Sequence, residues 1–119
     1  MTDHPRPRVL IVEDDGDTAT LLKEVLENEG FEAVAATSNA SVDGETRPRL
    51  IVVDRAVGRS LDDVLPEGLR TGGLKDVPVL LVSAAIDVEA RAQAIGAAAY
   101  LSKPFEIDTF AAACRDLTA

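Results

Sequence analysis

Short apolar runs alternate along this chain with longer stretches whose apolar residues recur at helical spacing. The runs hold about four residues and consist mostly of valine, leucine and isoleucine, which is typical of strands buried on both faces of a parallel sheet. They occupy residues 9–12, 50–53, 79–82 and 97–101, and a less apolar run at 31–36 predicts a further strand nearer an edge. The alternation predicts an α/β fold: a doubly wound, five-stranded parallel sheet with helices on both faces.

Three of the intervening stretches predict amphipathic helices with a clear inward stripe. The stripes are Leu21, Leu22, Val25 and Leu26, stopped by Gly30; Val88, Ala92 and Ile95, stopped by Gly96; and Ile107, Phe110, Ala111, Cys114 and Leu117. A further helix is expected over 61–69. Residues 37–49 are rich in turn formers, so the second helix is expected to be short or irregular.

Polar side chains follow the strands at the points where the strands end. Polar strand ends can simply meet water, which explains one or two such residues but explains a whole set poorly. Because the carboxyl ends of parallel strands meet at one edge, where ligands bind in open α/β sheets, we expect a site there. The residues are Glu13 and Asp14 after the first strand, Asp54 after the third, Ser83 after the fourth, and Lys103 after the fifth.

Composition narrows the class of protein. With 119 residues and a net charge of −9 the chain is expected to form one domain over 9–119, preceded by a flexible lead-in over 1–8. The acidic balance argues against a nucleic-acid surface. The single cysteine, Cys114, fits a small core residue better than a reactive thiol and is compatible with a cytoplasmic location. No apolar run is long enough for a membrane helix.

The strand-end motifs also resemble a known family. Val-Glu-Asp-Asp at 12–15, Ile-Val-Val-Asp at 51–54, Leu-Val-Ser-Ala at 81–84 and Tyr-Leu-Ser-Lys-Pro-Phe at 100–105 occur in the order found in receiver domains of two-component response regulators. The resemblance spans nearly the whole chain. It implies the flavodoxin-like strand order 2-1-3-4-5 and a cis Lys103–Pro104 bond, with Lys103 directed inward.

Clustered acids at the strand edge predict a cation. Two like charges about 4 Å apart repel by roughly 4 kcal/mol at an effective dielectric of about 20, so either one acid protonates or a metal binds. Carboxylate and carbonyl oxygens suit Mg2+. The resemblance implies that Asp14 and Asp54 bind the metal directly, Glu13 through water, and Ala56 through its carbonyl.

The chemistry predicted for this edge is phosphoryl acceptance. Asp54 can act as nucleophile, while the Lys103 ammonium and the Ser83 hydroxyl can stabilise phosphoryl oxygens. Taken singly, the Lys103 side chain would be expected to lie in water and the Ser83 hydroxyl to bond to the backbone. Together with Asp54 they favour a site. Tyr100 could be an ordinary half-buried strand residue, but the resemblance implies that Ser83 and Tyr100 relay the phosphorylation state to the surface of the fourth helix, fifth strand and fifth helix.

The function implied by the resemblance is a phosphoacceptor switch, not an enzyme acting on other molecules. Its partners would be a sensor histidine kinase or histidine phosphotransfer protein, and a downstream protein or second copy at the relay surface, with no direct contact to nucleic acid or membrane. One alternative is a degenerate receiver that works without phosphate, since Val57-Gly58 and the thin second helix depart from the family pattern. A further alternative is a phosphatase. It is the weaker one, because the phosphatase class concerned has a second Asp where this chain has Ala56.

Overall fold

The computed structural model describes residues 6–13, 16–36, 48–54, 77–84 and 86–119. These residues contain the five predicted strands and the three helices predicted with a clear inward stripe. The elements are β1 (Arg8–Glu13), α1 (Gly16–Asn28), β2 (Glu32–Ala36), β3 (Leu50–Asp54), β4 (Val79–Ser83), α2 (Val88–Ile95), β5 (Ala99–Ser102) and α3 (Ile107–Thr118). The short or irregular second helix expected within 37–49 and the helix expected over 61–69 concern residues 37–47 and 55–76, which lie outside the described residues.

The five strands form one parallel sheet in the order β2-β1-β3-β4-β5. This confirms the strand order that the resemblance implies. β1 and β3 lie at the centre, and every residue of β3 is buried, as the uninterrupted run Leu50–Asp54 requires. The register sets Glu13 opposite Asp54 on the neighbouring strand, so two of the predicted acidic positions are adjacent in the backbone.

Successive strand residues face opposite sides of the sheet, and this divides the core into two layers. We call them the α1–α3 layer and the α2 layer, after the described helices that cover them. The α1–α3 layer contains Val9, Ile11, Leu22, Val25, Leu26, Phe31, Ala33, Leu50, Val52, Leu80, Val82, Phe110, Ala111 and Cys114. The α2 layer contains Leu10, Val12, Ile51, Val53, Val77, Val79, Leu81, Val88, Ala92 and Ile95.

Two helices end at the glycines that the sequence marks as stops. Gly30 and Gly96 have φ of 93° and 72°, a left-handed conformation that disfavours a residue with a Cβ. After α1, the Phe31 N–H donates to the Leu26 carbonyl (3.0 Å), and after α2 the Ala97 N–H donates to the Ala92 carbonyl (2.9 Å). Both are Schellman bonds, which satisfy carbonyls that the helix leaves unpaired.

Two residues of the predicted inward stripes are in fact exposed. Leu21 is 52% exposed because it lies about a quarter turn from the centre of the stripe formed by Leu22, Val25 and Leu26. Ile107 is 54% exposed although its angular position is correct. It is the first residue of α3, at the edge where the strands end and the core stops. The other members of both stripes are buried or half-buried, as predicted.

None of the described helices is long and apolar enough to cross a bilayer.

Candidate functional site

The predicted site residues that the structure describes gather at the carboxyl edge of the sheet. Asp54 and Ser83 are the last residues of β3 and β4, and Lys103 directly follows β5. Lys103 is fixed to the fourth strand because its backbone N–H donates to the Ser83 carbonyl oxygen at 2.9 Å. The Lys103–Pro104 bond is cis, as the resemblance implies. Residues far apart in sequence are therefore joined through two short contacts, one in the backbone and one between side chains.

The side-chain contact is an ion pair between Lys103 and Asp54. Nζ of Lys103 lies 2.7 Å from Oδ1 of Asp54, the length of a strong charge-assisted hydrogen bond. Asp54 is only 7% exposed, whereas about a third of the Lys103 side chain reaches solvent. The lysine thus brings a positive charge to a carboxylate that the central strand holds almost out of water.

The second oxygen of Asp54 has no such partner. Oδ2 is buried and, in the part of the chain that the structure describes, accepts no hydrogen bond. Buried polar atoms are almost always paired, and an unpaired one costs roughly 1–3 kcal/mol. A buried acceptor that the described residues leave unpaired, beside a cationic side chain, is suited to a cation or to a group that forms a new bond with oxygen.

Ser83 and Tyr100 differ in burial. Ser83 is 1% exposed, while Tyr100 is 41% exposed on the edge strand β5. Tyr100 lines an open hollow of about 570 Å3 together with Ile86 and residues at the start of α2. In this structure Tyr100 is therefore partly exposed on the α2 side of the molecule.

The metal ligands predicted from sequence are only partly described. Asp14 and Ala56 lie outside the described residues, and Glu13 is described in its backbone alone. Among the side chains that are described, no three acidic, histidine or cysteine groups come together to hold a metal. The assignment of Glu13, Asp14, Asp54 and Ala56 as metal ligands stays a prediction, and the structure shows only that Asp54 lies at the strand edge.

Sequence reasoning missed a cleft that leads to Asp54. It lies between α1 and the segment from Pro104 to α3, and Leu21, Phe105 and Ile107 line it together with Asp54 and Lys103. One signal was available: at 100° per residue Leu21 lies about a quarter turn from the centre of the stripe formed by Leu22, Val25 and Leu26, and therefore at its margin. The exposed leucine could therefore have been expected, though not its position beside the aspartate.

Cys114 belongs to the core and not to the site. Its side chain is fully buried in the α1–α3 layer, and this burial raises the pKa of the thiol to about 12. The thiol consequently stays protonated near neutral pH and is a poor nucleophile. The expectation of a small core residue is confirmed.

The fold and the strand-edge residues define a class of protein, and comparison with known families identifies it. The family model of the response regulator receiver domain matches residues 9–115. The chain belongs to this family, whose members are signalling switches in two-component systems. Proteins of this kind interact with histidine kinases or phosphotransfer proteins and typically bind Mg2+ at the phosphorylation site.

Individual relatives agree with this assignment. The chain is 38% identical over 104 residues, 83% of its length, to the transcriptional regulatory protein PrrA of Mycobacterium leprae. It is 30% identical over 120 residues, 93% of its length, to the DNA-binding dual master transcriptional regulator RpaA of Synechocystis sp.. Among solved structures, the non-phosphorylated HemR receiver domain of Leptospira biflexa superimposes with a TM-score of 0.69 at 27% identity, covering 96% of this chain and 95% of that one.

The matched region is only part of the two curated relatives. The chain spans 44% of PrrA and 48% of RpaA. Both of those proteins are named as transcriptional regulators, and RpaA as DNA-binding. The expectation that this chain itself makes no contact with nucleic acid therefore stays a prediction.

Proposed function

We propose that Asp54 is the phosphoacceptor of this receiver domain and that it takes its phosphoryl group from a histidine kinase or a histidine phosphotransfer protein. The observation that carries the proposal is the Asp54 carboxylate itself. One oxygen is paired with Lys103 at 2.7 Å, while the other is buried without a partner among the described residues. A carboxylate held in this way is oriented by its ion pair and keeps one buried oxygen unpaired among the described residues.

In the reaction a carboxylate oxygen of Asp54 attacks the phosphorus of the donor. A new O–P bond forms, the P–N bond to the donor imidazole breaks, and its electron pair stays on the imidazole nitrogen. The product is an acyl phosphate on Asp54. Phosphoryl transfer depends mainly on positioning and on neutralising the equatorial oxygens. Lys103 is in place for the second task because its ammonium is already within hydrogen-bonding distance of Asp54.

Ser83 is proposed to donate its hydroxyl proton to a phosphoryl oxygen. Its place supports this role, because it ends β4 next to β3 and its carbonyl holds the Lys103 backbone. Lys103 and Ser83 would then contact the same group from adjacent strands. The carboxylate supplies the nucleophile, the lysine the charge and the serine a directed hydrogen bond.

Mg2+ is the proposed cofactor, and the residues present fit it. The buried, unpartnered Oδ2 of Asp54 is the kind of hard oxygen ligand that Mg2+ prefers. Asp14 and Asp54 would hold the ion directly, with Glu13 acting through water and the Ala56 carbonyl as a further ligand. When bound, the ion supplies positive charge that offsets the repulsion between these acids and the incoming phosphate.

The signal is proposed to leave the site through Ser83 and Tyr100. Ser83 is buried at the strand edge, and Tyr100 lies exposed on the neighbouring strand, where β4 and β5 pair in register. A shift of Ser83 toward the phosphoryl group would open space into which the tyrosine ring can turn. The surface of α2, β5 and α3 would then change, and a downstream protein or a second copy would read that change.

Intact mass spectrometry tests the assignment. Incubation with acetyl phosphate and Mg2+ is expected to add the mass of one phosphoryl group to the parent chain, and Asp54→Asn is expected to abolish the addition. Asp87→Asn is a matched control, since that carboxylate is solvent-exposed and pairs with Arg91. Label that persists in Asp54→Asn would move the acceptor elsewhere, and an unlabelled parent chain would favour a receiver-like domain that acts without phosphate.

A further inference from the structure

The lysine that pairs with the phosphoacceptor lies on a loop and not on a strand. β5 ends at Ser102 and α3 begins at Ile107, so Lys103 is the first residue of the segment that connects an edge strand to a helix. Its side chain has several rotatable bonds, and about a third of it reaches solvent. The position of its ammonium, 2.7 Å from Oδ1 of Asp54, therefore depends on how firmly the backbone of this loop is held.

The loop is anchored at both of its ends. At the strand end, the Lys103 N–H donates to the Ser83 carbonyl oxygen at 2.9 Å. At the helix end, the Phe105 ring packs against the Phe110 ring, with centroids 5.6 Å apart and planes inclined by 31°. Phe110 is fully buried in the α1–α3 layer, and Phe105 packs against the same layer. The second anchor is therefore a side-chain contact with the core.

The aromatic contact has the spacing of a hydrophobic staple. Glu106 is the N-cap of α3, so Phe105 is the residue before the cap and Phe110 is the fourth residue of the helix. An apolar pair at these two positions fixes the angle at which the chain enters a helix. In the described part of the chain, Glu106 makes no side-chain hydrogen bond that caps the helix. The staple is therefore the side-chain contact that defines this entry.

Only Pro104 separates the staple from Lys103. The proline ring fixes its own φ, so a change in chain direction at Phe105 is passed to Lys103 with little freedom to absorb it. The distance between the Lys103 ammonium and Asp54 would change with that direction. A misplacement of about 1 Å can slow a reaction by up to about a hundredfold, even when its cause lies outside the reacting groups.

We propose that Phe105 is a positioning residue for phosphoryl acceptance, because its staple contact with Phe110 holds the loop from which Lys103 reaches Asp54. A phenylalanine side chain brings neither charge nor a strong hydrogen-bonding group to a phosphoryl oxygen, so its contribution passes through the lysine. The effect on phosphorylation rests on the proposed function. The effect on the position of the Lys103 amine does not.

The position of Lys103 is measured without phosphorylation through the reactivity of its amine. Limited acetylation of the full chain with N-hydroxysuccinimidyl acetate, followed by peptide mass spectrometry, gives a rate for each lysine. In Phe105→Ala the Lys103 rate is expected to rise about fivefold, the factor that corresponds to losing a typical aromatic pair. Lys23, which is exposed on α1, is the internal reference and should react at an unchanged rate.

Leu117→Ala is the matched control for a general loss of packing. Leu117 is a partly buried residue that packs against the same core layer, but it lies at the other end of α3 from the staple. Its loss should leave the Lys103 acetylation rate within about twofold of the parent value, since distant sites act independently. No rise in Phe105→Ala, or an equal rise in Leu117→Ala, would overturn the positioning role.

The consequence for the reaction is measured as the rate of labelling by acetyl phosphate with Mg2+. Phe105→Ala is expected to slow labelling of Asp54 about tenfold, and Phe105→Leu by no more than about threefold, because leucine keeps an apolar group at the staple position. Leu117→Ala should be labelled at the parent rate. Equal slowing in Leu117→Ala would assign the effect to a general loss of packing and overturn the proposal.

A second background shows whether the ring acts through the lysine. In Lys103→Met, adding Phe105→Ala should change the labelling rate by less than about twofold, because the group that it positions is gone. The same tenfold slowing in this background would overturn the proposed route. If the parent chain is not labelled at all, the proposed function fails, and the acetylation rates still decide whether Phe105 positions Lys103.

Discussion

The two layers of the core are held together in different ways. In the α1–α3 layer, side chains join separate elements: Arg115 of α3 pairs with Glu29 after α1 at 2.6 Å, and the Phe105 ring packs on Phe110. At the start of α2, by contrast, the ion pair of Asp87 with Arg91 (2.8 Å) stays within one turn. The α1–α3 layer also contains aromatic rings, whereas the described core of the α2 layer is entirely aliphatic.

The surfaces above the layers differ in the same sense. Over the α1–α3 layer, the exposed residues Leu21 and Ile107 border a cleft that leads inward to Asp54. Over the α2 layer, Ile86 and Tyr100 border an open hollow that does not include the aspartate among its lining residues. The comparison shows that the cleft on one side of the sheet reaches Asp54, whereas the hollow on the other side contains Tyr100, through which the proposed switch would signal.

The largest expected difference between the layers is in the cost of losing a core side chain. Phe110→Ala removes a fully buried ring that contacts Phe105, and we expect it to lower the free energy of unfolding by about 3–5 kcal/mol. Ile95→Ala removes a smaller aliphatic chain from the α2 layer and should cost less. Urea denaturation of both variants measures the difference. An equal or larger loss of stability in Ile95→Ala would contradict the view that side chains of the α1–α3 layer contribute more to stability than those of the α2 layer.

A change of intermediate size in the free energy of unfolding is expected when the ion pair between Asp54 and Lys103 is broken. Lys103→Met leaves the buried Asp54 carboxylate without its ammonium, and the free energy of unfolding should fall by roughly 1–3 kcal/mol, less than for a fully buried pair because Lys103 is partly exposed. In the double variant that also carries Asp54→Asn, most of the lost stability should be recovered, since no buried charge then remains. If the losses of the two single variants simply added in the double variant, the ion pair would have no role in stability.

A smaller effect is expected in alkaline solution, and it should arise in the α1–α3 layer. Burial raises the pKa of Cys114 from its ordinary value near 9 to about 12. Between these values the unfolded chain loses a proton that the folded chain keeps, so stability is complete below about pH 9 and declines as the pH rises toward 12, by at most about 1.4 kcal/mol per pH unit. Cys114→Val should show a flatter decline in urea titrations at pH 8–11. Identical slopes would mean that the thiol does not contribute.

The smallest expected effect involves no loss of stability and concerns which layer responds to the site. Beryllofluoride, a stand-in for the phosphoryl group on Asp54, is expected to shift the amide resonances of residues from about Asp87 to Cys114 more than those of α1. Tyr100→Ala should reduce the shifts in α2 while leaving those next to Asp54. Shifts confined to the pocket would show that the switch is uncoupled in this chain, and larger shifts in α1 would reverse the comparison of the layers.

Much of the fold could be predicted because strands buried on both faces leave an unmistakable sequence pattern. The runs ending at Asp54 and Ser83 needed no periodicity to be recognised, and Gly30 and Gly96 marked helix ends through their backbone preference. Strand order came from the resemblance, since chain order alone does not determine it. Burial of Ile107 was wrongly predicted because its exposure depends on where the core stops, which is a property of the assembled fold. Burial of Leu21 was wrongly predicted although its angular position at the margin of the stripe already indicated exposure.

The residues that form the candidate site could be predicted from the sequence, but the arrangement of their side chains could not. Parallel strands end at the same edge, so Asp54, Ser83 and Lys103 had to be close once the strands were known. The 2.7 Å ion pair and the buried, unpaired Oδ2 atom depend on side-chain rotamers and on burial, which spacing in the sequence does not encode. The predicted roles of Asp14 and Ala56 concern residues outside the described ranges.

The strand order also sets the timescales on which the parts of the site move. Asp54 ends a central strand whose amides are hydrogen-bonded within a sheet that extends on both sides, so their hydrogen exchange should require global opening. Lys103 follows β5, an edge strand, where local fraying suffices. We therefore expect the charge pair to join a slowly exchanging strand to a faster-exchanging one, so that the lysine leaves and returns while the aspartate stays in place.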